Sequence, residues 1–331
     1  MKIFVTGGAG YCGHVLVPEL LSEGHKVTVF DTFWFGDYLA EHVNLKKIKG
    51  DIRDLKLLES ELQGNEVVLH LAAIANDASF ELDEKLSTSI NFNAFRPLVE
   101  LAKKSGIQRF IYASSSSVYG VSDKPNVTED HELVPLTLYN KYKGLCEPIL
   151  FEFTDSNFIG TVFRPATVCG YSPRQRLDLS VNILTNHAFH NSNIRVFGGK
   201  QRRPNLHVRD YSRVCRTIIS ADPLKVQNQI FNVGEQNLSI EKLALMVQQT
   251  VATFKGISKD QIGIQFEDSD DQRSYHINSD KIAQSLGFRP NYSVEQAIQD
   301  LCNAFKETRF VNPMSNTLHF NVKRMKELEV N

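Results

Sequence analysis

The chain runs from Lys2-Ile3-Phe4-Val5-Thr6, an apolar segment with strand character, directly into Gly7-Gly8-Ala9-Gly10-Tyr11-Cys12-Gly13 and then an amphipathic stretch, His14–Ser22. A strand, glycines at every third position and a helix, in that order, admit few folds. Gly7, Gly10 and Gly13 allow a tight turn that brings backbone N–H groups and a helix N-terminus up to a pyrophosphate, where the helix dipole favours negative charge. Tyr11 and Cys12, between the last two of these glycines, are expected against the same ligand. Asp31 follows the next strand-like run about twenty residues further on, the place of an acid that accepts hydrogen bonds from the adenosine ribose hydroxyls. Its charge repels a 2′-phosphate, so the expected cofactor is NAD and not NADP. Asp51 and Ile52, after the third strand, are placed to meet the adenine.

The alternation continues through the first half of the chain. Short β-branched or aromatic runs at Ile3–Thr6, Lys26–Phe30, Leu45–Ile48, Glu66–Leu71, Arg109–Ala113 and Ile159–Phe163 have the composition of buried parallel strands. Between them a period of roughly 3.6 residues predicts helices at His14–Ser22, Leu55–Glu61, Leu86–Ser105 and Tyr139–Phe153. This pattern predicts an α/β chain with a Rossmann-type doubly wound parallel sheet over residues 1–170. From Tyr171 the pattern loosens into a helix at Leu179–His190, a strand at Ile194–Phe197, the arginine-rich Gln201–Asp210, and helices at Ile240–Thr253 and Val294–Lys306. A smaller substrate-binding region is therefore expected over residues 171–312, with 229–234 returning to the main sheet. The polar tail, 313–331, is expected to be a solvated extension.

Composition removes several classes. With 37 basic and 38 acidic side chains the net charge is -1, which supplies no field to gather phosphate backbones, so nucleic acid is not an expected partner. Cys12, Cys146, Cys169, Cys215 and Cys302 are odd in number and contain no CxxC pair, as suits reduced small hydrophobes in a cytoplasmic protein. The N-terminal residues lack the pattern of a signal peptide. Val67–Ala75, interrupted by His70, falls far short of the ~20 residues that span a bilayer, so no membrane partner is expected. His187 and His190 share a predicted helix, but no carboxylate or cysteine completes a ligand set and no metal is expected.

The chemistry is carried by Tyr139-Asn140-Lys141-Tyr142-Lys143, which sets Tyr139 and Lys143 on one helix face. An ammonium beside a phenol stabilises the phenolate and fits it to exchange the proton of a sugar hydroxyl or ketone. Upstream, Phe110-Ile111-Tyr112-Ala113-Ser114-Ser115-Ser116-Ser117-Val118-Tyr119-Gly120 is a buried strand that ends in hydroxyls suited to bind the same reacting oxygen.

With these features the sequence resembles the extended short-chain dehydrogenase/reductase family, in its nucleotide-sugar epimerase and dehydratase group. The resemblance runs through the glycine loop, Asp31, Gly50-Asp51-Ile52, His70-Leu71-Ala72-Ala73, the serine strand, Tyr139 and Lys143, Arg164-Pro165 and His207-Val208-Arg209-Asp210. It implies that Ser115 is the catalytic hydroxyl beside Tyr139 and Lys143, and that Leu71, Ala72, Ala73 and Asn91, with Tyr139 and Lys143, contact the cofactor. It also implies a nucleotide-diphosphate sugar held by Ser115, Ser116, Thr167, Arg174, Arg176, Asn182, Arg203 and Arg273. Arg203 and Arg273 would grip its diphosphate with their guanidinium forks. A homodimer paired through Leu86–Ser105 and Tyr139–Phe153 is implied as well.

Departures from the family pattern narrow the reaction. Ser116-Ser117 stand where the family's 4,6-dehydratases carry Asp-Glu, so dehydration lacks its acid and base, and Asp77 and Asp178 are the other carboxylates to examine. Thr167 stands where many members have a substrate-binding asparagine, and Pro173–Leu179 resembles a subgroup that includes 4-dehydrogenases of GDP-linked heptoses. The expected function is NAD-dependent oxidation at C4 of a nucleotide-activated sugar, as a 4-epimerase or 4-dehydrogenase in sugar-nucleotide biosynthesis. Starting from the ketone makes the chain an NAD(P)H-dependent reductase. A noncatalytic NAD-binding sensor or scaffold is the alternative of another class, against which the presence of Ser115, Tyr139 and Lys143 argues.

Overall fold

In a computed structural model describing residues 1–122, 124, 126–269, 274 and 276–328, the strands of the first half lie side by side. Seven form one parallel sheet in the order Gln229–Val233, Ile159–Pro165, Arg109–Ala113, Val67–His70, Lys2–Thr6, Lys26–Asp31 and Leu45–Lys49. Successive side chains feed opposite faces of this sheet. Ile3 and Val5 pack with Leu16, Val17 and Leu20 of the helix Gly13–Ser22 and with Val214 and Ile218 of Val208–Ser220. Phe4 goes the other way, to Leu58 of Leu55–Leu62 and Leu98 of Phe95–Lys104. Burial on both faces explains why the inner strands read as continuous apolar runs, while the edge strand Leu45–Lys49 carries three lysines. The strand order departs from Lys2–Thr6 in both directions, and a crevice opens beyond the strand C-termini at that switch point.

The remaining strands build two small sheets beside the main one. Gln236–Ser239, Arg202–His207 and Thr167–Cys169 form one, and Gly263–Glu267 pairs with Asn193–Phe197 in the other. The helices Ser180–Asn191, Ile240–Lys255 and Val294–Lys306 pack against each other around these sheets. The arginine-rich stretch is regular structure. It forms the strand Arg202–His207 and the helix Val208–Ser220, whose Ser212 hydroxyl donates to Glu19 on the helix Gly13–Ser22. Among the described residues no helix is long and apolar enough to cross a membrane.

Two expectations need correction. The helix expected at Leu86–Ser105 is broken into Glu84–Thr88, a π-turn at Ser89–Asn93 and Phe95–Lys104. A wide turn accommodates an inward-facing side chain, here that of Asn91, and leaves Pro97 in the first turn of the following helix, where its missing N–H costs nothing. The tail after Asn312 is not a solvated extension either. Thr317–His319 and the helix Asn321–Leu328 fold back on the protein, with Phe320 buried against Leu301, Phe305 and Phe310 and Met325 buried in the layer that holds Phe30. Two buried apolar side chains anchor an otherwise polar segment, which is why its composition hides its role.

Candidate active site

The glycine loop is fixed by contacts that tolerate no side chain. Gly7 adopts φ +71°, and a Cβ there would stand 2.6 Å from Ala72 N; a Cβ on Gly13 would stand 2.2 Å from Gly8 O. At Gly10 the situation is different, since an added Cβ meets only Gly7 O, at 3.1 Å, and otherwise projects into the cleft. The following helix begins at Gly13 with no side-chain cap, so its N-terminal dipole end is not satisfied by the protein's own side chains. Asp31 ties the loop to the second strand, because its Oδ2 accepts from Ala9 N at 3.0 Å and its Oδ1 from Phe33 N at 2.8 Å. Burial raises its carboxyl above the usual value and the two N–H groups oppose that rise. This set of an open glycine face, a helix N-terminus and a carboxylate at a strand end fits a dinucleotide.

From the loop a cleft of about 770 Å³ runs along the ends of the strands, lined in its first part by Tyr11, Cys12, Asp51, Ile52, Leu71, Ala72 and Ala73. Asp51 is gripped by Arg53, whose Nη2 lies 2.8 Å from Oδ2. Burial works to raise the Asp51 carboxyl, but the Arg53 hydrogen bonds hold it below its usual value.

Further along stand Ser115, Ser116, Ser117, Tyr139 and Lys143. The strand Arg109–Ala113 delivers the serines, and Ser115 caps a short 3₁₀ turn, Ser116–Tyr119, with its Oγ 3.2 Å from Ser117 N. Ser117 Oγ bridges Ser115 Oγ at 2.7 Å and the buried amide of Asn140. Tyr139 and Lys143 come from the helix Leu138–Phe151, capped by Thr137, whose hydroxyl donates to Asp77. Tyr139 is half-buried with its ring edge toward Phe80. Lys143 Nζ donates to Ala113 O at 2.8 Å, and burial pulls the ammonium down to about 8. One of its three N–H donors is used in that bond. Beneath it His70, pulled down to about 3 by burial, is neutral and shares a 2.7 Å hydrogen bond with Thr6.

The opposite wall carries Thr167, Arg174, Arg176, Asp178, His187 and Arg203. Arg176 and Asp178 form an ion pair with Nε 3.0 Å from Oδ1. Burial works to raise Asp178, but Arg176 holds it below the usual carboxylate range. Arg203 donates from Nη1 to Arg202 O at 2.9 Å. Arg273 lies outside the described residues.

Two residues expected in the site stand behind it. Asn91 accepts from Ile74 N and donates to Ile74 O, both at 2.9 Å, so its amide holds the loop after the fourth strand and does not line the cleft. Asn182 is fully buried, accepting from Gly170 N at 2.9 Å and donating to Arg176 O at 2.8 Å. It shapes the loop that carries the arginines. Other residues emerge from the structure alone. Trp34 and Phe35 form part of the cleft wall, and Asn321 reaches it from the folded-back tail, a contact between residues far apart in sequence that no local pattern announces.

A family model described as the NAD dependent epimerase/dehydratase family matches residues 3–234, a span containing the glycine loop, Asp31, Ser115, Tyr139 and Lys143. The chain belongs to that family. The chain is 29% identical over 329 residues to a UDP-N-acetyl-alpha-D-glucosaminuronate decarboxylase of Bacillus cytotoxicus, covering 92% of this chain and 98% of that one. Its fold matches the UDP-glucose 4-epimerase of Thermotoga maritima solved with UDP-glucose, with a TM-score of 0.82 and 25% identity over 93% of this chain and 99% of that one. It also matches MoeE5 in complex with UDP-glucuronic acid and NAD, with a TM-score of 0.79 and 25% identity over 93% of this chain and 100% of that one. Members of this family are NAD-dependent enzymes, and the relatives named here carry different activities on one scaffold.

Proposed function

We propose that this chain oxidises C4 of a nucleotide-diphosphate sugar with NAD, as a 4-epimerase or a 4-dehydrogenase in sugar-nucleotide biosynthesis. One observation carries the reading: Ser115, Tyr139 and Lys143 meet in the cleft whose other end is built by Gly10 and Asp31. The glycine loop and Asp31 would hold NAD, which would supply the acceptor for the C4 hydride. Tyr139 takes the proton of the C4 hydroxyl, and the Lys143 ammonium favours the phenolate that does so. Ser115 Oγ hydrogen-bonds the same oxygen and is positioned by its 2.7 Å contact with Ser117. Ser115, Ser116, Thr167, Arg176 and Arg203 surround the space left for the sugar and its diphosphate.

Loss of water is disfavoured by the same wall. Serine is a poor acid and a poor base near neutral pH, and Ser117 is already committed to Ser115 and Asn140. Asp178, kept ionised by Arg176, does not supply the missing acid. The family pairing suggests a homodimer through Phe95–Lys104 and Leu138–Phe151, and Leu145 on the second helix leaves 41% of its surface exposed for such a contact. Five unpaired thiols suit a reducing cytoplasm. Mass spectrometry of the small molecules retained by purified protein, followed by incubation with UDP-, GDP-, CDP- and dTDP-sugars, tests the reading. Retained NAD and a product that is either an isomer or lighter by two hydrogens are expected. No turnover of any of these sugars by the NAD-loaded protein would overturn it.

A further inference from the structure

Arg174 stands apart from the other arginines of the substrate wall. Its guanidinium lies 3.8 Å from the ring centre of Phe35, and its Nη2 donates to Asn321 Oδ1 at 2.7 Å. Its Nε is buried and has no hydrogen-bond partner among the described residues, although the side chain lines the cleft. Its charge is felt at the glycine-loop end by Cys12, His14 and Asp31, and also by Asp178 and His319. The nearby carboxylates are already engaged. Asp31 accepts from Ala9 N and Phe33 N, and Asp178 is held by Arg176 and by Asn321 N at 2.9 Å. A buried guanidinium with an unsatisfied N–H favours an additional anion beside it, since an incompletely paired buried charge is costly. A diphosphate supplies oxygens that match a guanidinium fork.

We infer that Arg174 is a ligand of the cofactor's diphosphate and that Asn321 holds it in place, so that the C-terminal segment is part of the cofactor grip. The inference rests on the NAD-dependent reading and assigns Arg174 to the cofactor, where the family resemblance had implied the sugar substrate. Phe35 follows the strand that ends in Asp31, on the adenosine side of the glycine loop, and Arg174 is stacked on it. The segment carrying Asn321 spans the cleft. On one side Arg324 donates from Nε to Trp34 O at 2.8 Å, and on the other Asn321 binds Arg174 and Asp178. Arg174 thereby lines the same cleft as Gly13, the uncapped N-terminus of the first helix.

Calorimetry on protein stripped of cofactor tests this, with NAD, ADP and adenosine as probes and with UDP and GDP titrated at saturating NAD. Arg174→Gln is expected to weaken NAD and ADP by tenfold or more, to leave adenosine unchanged, and to flatten the salt dependence of NAD binding. Asn321→Ala should weaken ADP several-fold in the same pattern, and it carries the test alone if Arg174→Gln fails to fold. Wild-type affinity for NAD and ADP in the folded variants overturns the inference. So does a loss confined to UDP or GDP, which would give Arg174 to the substrate. Failure of the wild-type protein to bind NAD would instead sink the NAD-dependent reading, so the two are distinguished in one series.

Discussion

Glu147 grips Arg164 through two hydrogen bonds, 2.9 Å to Nε and 2.6 Å to Nη2, one turn beyond Lys143 on the same helix. Both side chains are 3% exposed, and Ser114 Oγ adds a 2.6 Å bond to the same carboxylate. The pair therefore locks the helix that carries Tyr139 to the strands that carry the serines. Removing one partner leaves a buried charge uncompensated. Glu147→Ala is expected to cost about 3–5 kcal/mol of unfolding free energy. Urea denaturation measures it, and a loss under about 1 kcal/mol would mean that water or another group takes over the Arg164 charge.

The buried ammonium of Lys143 makes stability depend on pH in a direction that can be checked. Its value falls from 10.5 in the unfolded chain to about 8 in the fold. Between these limits the unfolded chain holds a proton that the folded one has lost, so raising the pH stabilises the fold through this group. The stability difference between wild type and Lys143→Met should thus shift in favour of wild type from pH 8 to pH 10.5, by more than about 1 kcal/mol, since one pKa unit is worth about 1.4 kcal/mol. Unfolding of the cofactor-free proteins at a series of pH values decides it, and a constant difference across the window would refute the shift.

Much of this was legible in the sequence. The inner strands of the main sheet have apolar runs that both faces of the sheet bury, and the glycine loop has a spacing that its turn demands. What escaped was decided by contacts distant in sequence. The π-turn at Ser89–Asn93 depends on Asn91 meeting Ile74, and the placement of Asn182 on Gly170 and Arg176. An asparagine in a helical stretch looks alike whether it faces a ligand or a backbone loop. The tail was misread because its anchoring rests on Phe320 and Met325 within a polar segment, and the link from Asn321 to Arg174 joins residues no local period connects.

Cofactor choice follows from Asp31. With both oxygens directed by backbone N–H groups, its carboxylate cannot swing away from a 2′-phosphate. NAD should bind at least about tenfold more tightly than NADP, since like charges brought together cost several kcal/mol. Asp31→Asn should narrow the gap. Calorimetry giving equal affinities for the two cofactors in wild type would contradict the role given to this residue.

Assembly can be weighed directly. Light scattering at micromolar concentration should give twice the chain mass of 37.5 kDa. A charge at Leu145, in Leu145→Glu, should raise the dissociation constant by at least about tenfold if that helix is the interface, because an unpaired carboxylate is costly to bury. A wild-type monomer would rule out the paired-helix arrangement.

Oxidation at C4 by way of Tyr139 can be followed with a nucleotide sugar carrying deuterium at C4. Products of its turnover by the NAD-loaded protein are to be read by mass spectrometry and NMR. Deuterium is expected to pass to the nicotinamide with formation of a 4-ketone, or to return to C4 with inverted configuration, and Tyr139→Phe to slow either outcome by about 10²-fold or more while still binding NAD. A product lighter by one water, a product altered elsewhere with label and configuration at C4 intact, or near-wild-type turnover by Tyr139→Phe would contradict it.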